Sequence, residues 1–144
     1  MHADFPLPDI SWPPLVPYWE AAARGELVLP RCTGCDRIDW YPTTTCAACG
    51  GEGRDWVPMS GRATLWSWAV VSHVWVPEFA SLVPFTSALV AIEEDPQVRL
   101  ATMVVDAEGI ELVPDMPMEV AFRPLSFPPA TASVVVPMFR LKPE

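Results

Sequence analysis

Basic residues are scarce: 9 lysines and arginines stand against 18 acidic residues in 144 positions, a formal charge of -9. A surface that neutralises nucleic-acid phosphates has to be positive, so the balance argues against a nucleic-acid partner. It argues equally against an anionic membrane surface. No uninterrupted apolar stretch of roughly 18 residues or more occurs, so no membrane span is expected. The N-terminus, Met1-His2-Ala3-Asp4-Phe5-Pro6, has neither the basic region nor the apolar segment of a secretory signal. The expectation is therefore a protein kept in a reducing cytoplasm. Glycine is sparse at 7 while proline reaches 18, which fits a turn-rich β fold better than a helix bundle. With 51% apolar and 19% charged residues, the chain should fold as about one domain's worth of core without disulfides.

Catalytic signatures are equally thin. Neither a glycine-rich dinucleotide loop, a phosphate-loop lysine motif, an H-E-x-x-H zinc helix nor a G-x-S-x-G nucleophile elbow occurs. Of two histidines, His2 lies in the N-terminal arm and His73 has no partner visible in the sequence, so a structural or surface role is expected for it. Glu93, Glu94 and Asp95 form the tightest acidic run, and their place at a turn reads as a solvated tip. No residue is assigned a catalytic role.

What remains is concentrated in four cysteines. Cys32 and Cys35 form one C-x2-C pair, ten residues follow, and Cys46 and Cys49 form a second. Two such knuckles can converge four sulfurs on one ion in a tetrahedral S4 site. Gly34, Gly50 and Gly51 are expected to supply the positive φ that tight knuckles need. Two disulfides or a dithiol redox pair are the alternatives; the spacing and the absence of an export signal favour metal. Zinc leads, with rubredoxin-type iron as runner-up. Four thiolates leave no open position, so the metal reads as structural.

Along the chain, residues 1–25 are expected to hold a proline-rich arm and a short helix over 15–24, with Leu15, Tyr18, Trp19 and Ala22 on one face. That face could pack on its own domain or meet a partner. Residues 26–56 are read as the metal ribbon: a strand into Cys32, a returning strand at Asp39–Pro42, then the second knuckle. Residues 57–144 are read as β: strands at Ala63–Ser72, Thr86–Glu93, Val98–Val105, Met118–Phe122 and Ser133–Leu141. Ala63, Leu65, Ser67, Ala69 and Val71 should share one face of the first of these. Between them lie a loop at 73–85 with exposed Trp75 and Phe79, a turn at Glu94-Asp95-Pro96-Gln97 and a loop through Phe127-Pro128-Pro129. Five strands of this size suggest a small closed OB-type barrel, an open sandwich being the alternative. Seven tryptophans are many for so small a core, and some should serve a junction or a partner.

The order of these features resembles a known family, the zinc-ribbon plus OB-fold acyl-CoA-associated proteins numbered thirty-five among domains of unknown function. The resemblance rests on Tyr18-Trp19-Glu20, Gly25-Glu26-Leu27 before Arg31-Cys32, the two knuckles, and Trp56 ahead of Ser60-Gly61-Arg62. It continues through Thr64-Leu65-Trp66-Ser67-Trp68, Pro84-Phe85 and Pro137-Met138-Phe139-Arg140. Ala63 and Asp115 depart from it, standing where the family often has glycine. The resemblance implies a mainly β protein: a short N-terminal helix, a rubredoxin-like zinc ribbon, then a five-stranded OB-fold barrel. It also implies a non-catalytic accessory subunit of a thiolase-superfamily enzyme, a thiolase or retro-aldolase, or of an acyl-CoA hydratase, in fatty-acid, polyketide or steroid side-chain metabolism. A CoA ester could then sit at the shared interface, with the loops Val74-Trp75-Val76-Pro77 and Phe127-Pro128-Pro129 in contact with an acyl group or a protein. A stand-alone acyl-CoA binder is a competing reading. It would need arginines such as Arg31, Arg37, Arg54, Arg62, Arg99 or Arg123, and no cluster of them is visible. A rubredoxin-like electron carrier is another and would need iron.

Overall fold

The computed structural model describes residues 4–128 and 131–144. His2 and Pro129 therefore lie outside the described residues. A 3-10 turn at Pro13–Leu15 leads into helix α1, Val16–Ala23. Prolines sit where helix amides would be unpaired anyway. The helix ends at Gly25, whose φ of 76° turns the chain back. There the Gly25 N–H donates to Ala22 O and the Glu26 N–H to Ala21 O, the two bonds of a Schellman stop. Tyr18, Ala21 and Ala22 are buried, with Leu15 and Trp19 partly buried against the core. The helix thus spends its apolar face on its own chain.

Strands β1 (Val28–Cys32) and β2 (Arg54–Pro58) pair antiparallel, with Cys32 opposite Arg54. The returning strand expected at Asp39–Pro42 does not form. That segment touches β1 through one bridge, Arg31 to Ile38, and the Asp39 N–H bond to Pro30 O. It then leaves as Trp40 packs at a tilt against Tyr18, ring centroids 4.9 Å apart. The real partner of β1 comes after the second knuckle.

The remaining strands are β3 (Arg62–Val71), β4 (Phe85–Ile92), β5 (Arg99–Val104), β6 (Pro117–Ser126) and β7 (Ser133–Leu141). They close in the order β3-β4-β5-β7-β6, antiparallel except for β5 beside β7. Closure rules out the open sandwich, and the order is a Greek-key barrel of OB type. Phe139, Leu65, Ile92, Met118 and Val90 fill its interior. β6 runs on to Ser126, past the expected Phe122, paired along its length with β7.

The alternation expected along β3 fails at one point. The register against β4 shifts between Leu65 and Ser67. This bulge moves Trp68, rather than Ser67, in behind Leu65 and leaves Trp66 outside. At the start of β3, Gly61 (φ 79°) accepts the Val120 N–H at 2.8 Å, and a Cβ there would stand 2.5 Å from Val120 Cγ1. Only glycine fits that turn. Asp115, where the family often has glycine, takes the left-handed conformation itself at φ 64°.

The arm packs through Leu7, which is 3% exposed; Ile10 and Trp12 stay about half exposed. Phe5 meets Phe79 edge-on, and Phe79 meets Phe127. Phe79 is therefore half-buried between two rings and not exposed as expected. The acidic run at the β4–β5 turn is also less idle than a solvated tip. Glu93 pairs with Arg62 at 2.7 Å, Glu94 accepts the Ser60 N–H, and Asp95 accepts the Gln97 N–H. No helix among the described residues is long and apolar enough to cross a membrane.

Candidate metal centre and neighbouring surfaces

The four cysteine sulfurs lie within 4.8 Å of one another. Cys32 Sγ is 3.5 Å from Cys49 Sγ, and Cys35 Sγ is 3.8 Å from Cys46 Sγ. Four sulfurs held about 2.3 Å from one ion form a tetrahedron with edges of about 3.8 Å, so the set fits a closed S4 site. Both thiols of the inner pair, Cys32 and Cys46, are buried, while Cys35 and Cys49 are exposed. All four are free thiols, with no disulfide among them.

The two knuckles share one backbone design. The Asp36 N–H bonds Cys32 O, and the Gly50 N–H bonds Cys46 O, each at 2.8 Å. The residue after each second cysteine is left-handed: Asp36 at φ 61° and Gly50 at φ 74°. Of the three glycines expected to supply positive φ, only Gly50 does. Gly34 and Gly51 serve close approach instead: a Cβ on Gly34 would come 3.2 Å from Cys49 Sγ, and one on Gly51 3.3 Å from it. Asp36 carries no glycine signal, so its turn role was hidden in the sequence.

Backbone amides point at the sulfurs and favour thiolate. The Ala48 N–H donates to Cys46 Sγ and the Gly51 N–H to Cys49 Sγ, both at 3.4 Å. The amides of Gly34 and Cys35 bring the Cys32 thiol down to about 7. Those of Cys49 and Ala48 lower Cys46. Cys35 goes the other way: the Arg37 amide pulls it down, but desolvation and the three neighbouring thiols raise it to about 11. Without an ion, four thiols this close cannot all ionise, and a divalent cation removes that conflict.

Beside the knuckles lies the one buried ion pair among those described. Arg54 Nη2 is 2.6 Å from Asp39 Oδ2, each side chain 11% exposed. No periodicity or motif marks this pair in the sequence.

Two concave surfaces are mainly apolar. One, of about 380 Å³, lies between α1, the Trp40–Tyr41 segment and the outer face of β5 and β7, with Met103 and Met138 on its floor. The other, of about 510 Å³, lies at a barrel end among Val70, Phe85, Ile110 and Leu112, with Asp106 and Glu108 on its rim. The loop from β3 to β4 carries Trp75, which is 91% exposed, with His73 edge-on to its ring.

The arginines weighed for CoA phosphates are dispersed. Arg54 is committed to Asp39, Arg62 to Glu93 and Arg123 to Asp106, while the Arg99 guanidinium lies 3.8 Å over Trp66. Arg31 and Arg37 flank the first knuckle.

The rubredoxin-like zinc ribbon domain of ChsH2 matches residues 19–54, and the C-terminal OB-fold domain of ChsH2 matches residues 56–123. A solved chain described as the Ltp2-ChsH2(DUF35) aldolase superposes with a TM-score of 0.75 at 28% identity, covering 94% of this chain and 98% of that one. A DUF35-family protein of unknown function from Sulfolobus solfataricus shares the fold, with a TM-score of 0.55 at 12% identity over 93% of this chain and 89% of that one. A probable enoyl-CoA hydratase alpha subunit from Thermomonospora curvata is 29% identical over 123 residues. The match takes in 85% of this chain but only 36% of that relative, so the chain spans little more than a third of its length.

Proposed function

This chain belongs to the ChsH2-type family of zinc-ribbon plus OB-fold proteins, and from that premise we propose that it is a non-catalytic accessory subunit of a thiolase-superfamily enzyme. The partner is a thiolase or retro-aldolase acting on acyl-CoA or steroid side-chain CoA esters, and it holds the catalytic residues. One observation carries the reading: the likeness to a subunit of an aldolase complex extends over nearly the whole of both chains.

In this reading Cys32, Cys35, Cys46 and Cys49 hold one zinc ion. Bound there, zinc supplies folding energy, because four thiolates fill its coordination sphere. The chain's own residues do the rest. Tyr18, Trp40 and Trp56 tie the ribbon to the barrel core. Trp75 offers a large, solvent-facing anchor of the kind that dominates interface energetics. Four unpaired thiols suit a reducing cytoplasm. The match to a hydratase alpha subunit supports a second reading, in which the enzyme served is an acyl-CoA hydratase.

The test is native mass spectrometry of the protein isolated from its host, followed by assay of the partner with and without it. One zinc per chain, a thiolase-like chain in the same complex and partner activity that falls on removal are expected. A hydratase-type companion would install the second reading. A chain that travels alone, carrying iron or a CoA ester, would end both.

A further inference from the structure

We propose that Arg54 and Asp39 form the outer clasp of the metal centre, with Arg54 a positioning residue that holds the two knuckles at metal-binding distance. The proposal rests on the four cysteines being the metal ligands.

The clasp is unusual in its burial. Arg24–Glu26, Arg62–Glu93, Arg123–Asp106 and Arg140–Glu119 are all more than a quarter exposed on each side, whereas Arg54 and Asp39 are 11% exposed. Burying two charges costs several kcal/mol unless further hydrogen bonds satisfy them. A two-stranded ribbon has little apolar core to offset that, so the pair needs a reason to be there.

The bonds of the guanidinium supply one. Nη2 meets Asp39, on the segment that follows the first knuckle. Nη1 donates to Gly51 O at 3.1 Å and to Gly53 O at 3.2 Å, on the segment that follows the second. Both carbonyls are already tied to the cysteine loops. Gly51 O accepts the Cys46 N–H at 2.7 Å, and Gly53 O accepts the Thr33 N–H, inside the first knuckle, at 3.1 Å. The Gly51 N–H in turn points at Cys49 Sγ. Arg54 also stands directly opposite Cys32 in the β1–β2 ladder. One planar group therefore gathers from outside the same two loops that an ion gathers from inside. Lysine carries its three donors on one compact nitrogen and lacks the planar fork that reaches acceptors on both segments.

Outer partners of this kind set ligand orientation, and their loss commonly costs about 10- to 100-fold in metal affinity. The experiment loads the full chain with zinc and follows its transfer to a chelating dye. The variants are Arg54→Gln, Arg54→Lys, Asp39→Asn and the Asp39→Asn/Arg54→Gln double. Arg123→Gln, which breaks an exposed pair away from the ribbon, is the control. We expect a 10- to 100-fold loss of zinc affinity in Arg54→Gln and in Asp39→Asn, and no further loss in the double. Arg54→Lys should recover only part, and the control should match the parent. A helper that merely stabilised the fold would lower the melting temperature of metal-free and loaded protein alike and leave affinity unchanged. That result, in Arg54→Gln or in Asp39→Asn, overturns the proposal. Should Arg54→Gln not fold, Asp39→Asn and Arg54→Lys decide it through cobalt titration, where parent-like affinity and tetrahedral absorption overturn it. Parent protein that takes up no metal would refute the ligand assignment itself, a different failure.

Discussion

The ribbon and the barrel are held together by different forces. The barrel closes on itself and fills its interior with Phe139, Leu65, Ile92, Met118 and Val90, all essentially inaccessible. The ribbon has two five-residue strands, four convergent thiols and one buried ion pair. It still contributes Leu27 and Leu29 to the same apolar cluster as the barrel, with Trp40 and Trp56 packed against them. The lesson is one of dependence. The barrel carries its own driving force, whereas the ribbon depends on the barrel on one side and, in the function proposed above, on a metal on the other.

The sharpest way to break that contrast is Cys32→Ser, or Cys49→Ser on the exposed side. Structural zinc is worth about 10 kcal/mol or more in small zinc domains, so the ribbon should lose both its ion and its fold. Metal analysis should fall to zero, and amide exchange should speed up in β1 and β2 while β3 to β7 stay protected. Retained protection in β1 would mean that barrel contacts alone hold the ribbon. The converse is Phe139→Ala in the barrel. Removing a ring at 1% exposure should cost about 3–5 kcal/mol in urea unfolding, with zinc content unchanged. Loss of zinc in that variant would show that the two regions fold as one cooperative unit.

Trp75→Ala probes a surface that neither force requires. Stability should change by no more than about 0.5 kcal/mol, as for most exposed side chains. Binding to the partner enzyme should weaken by about 2 kcal/mol, roughly thirtyfold, if Trp75 is an interface anchor. Calorimetry of the complex decides it; parent-like affinity would place the interface elsewhere on the chain.

The same contrast governs what could be read from the sequence. The cysteine spacing pointed to four convergent sulfurs, and the structure brings them within 4.8 Å of one another. The barrel strands were legible from alternation, each beginning close to its observed start. Three things were not legible. The bulge at Leu65–Ser67 separates Trp66 from Trp68, which strict alternation puts on one face, and a bulge leaves no composition signal when both candidate faces are apolar. The partner of β1 was misplaced, because Asp39–Pro42 has strand-like residues whereas pairing was decided by where Trp40 could be buried. The Arg54–Asp39 pair joins residues distant in sequence, and the other acceptors of Arg54 are the backbone carbonyls of Gly51 and Gly53, which carry no sequence signal.

The smallest expected effect lies at the seam between the regions. Tyr18 packs edge-on against Trp19 and tilts against Trp40, linking the helix to the ribbon. Burial, with a lesser contribution from Tyr41, raises its phenol above the usual value of 10.0. A raised acid stays neutral in the folded state while the unfolded chain ionises. Its contribution to stability is therefore complete below pH 10 and is lost as pH rises beyond it. Tyr18→Phe keeps the ring and removes that titration. Between pH 10 and 11 the parent should lose up to about 1.4 kcal/mol relative to Tyr18→Phe, whereas below pH 9 the difference between them should be constant. Urea unfolding of the zinc-loaded pair at pH 8, 9, 10 and 11 measures it. Parallel curves throughout would mean that the phenol reaches water, and that the seam between helix and ribbon opens more readily than its packing implies.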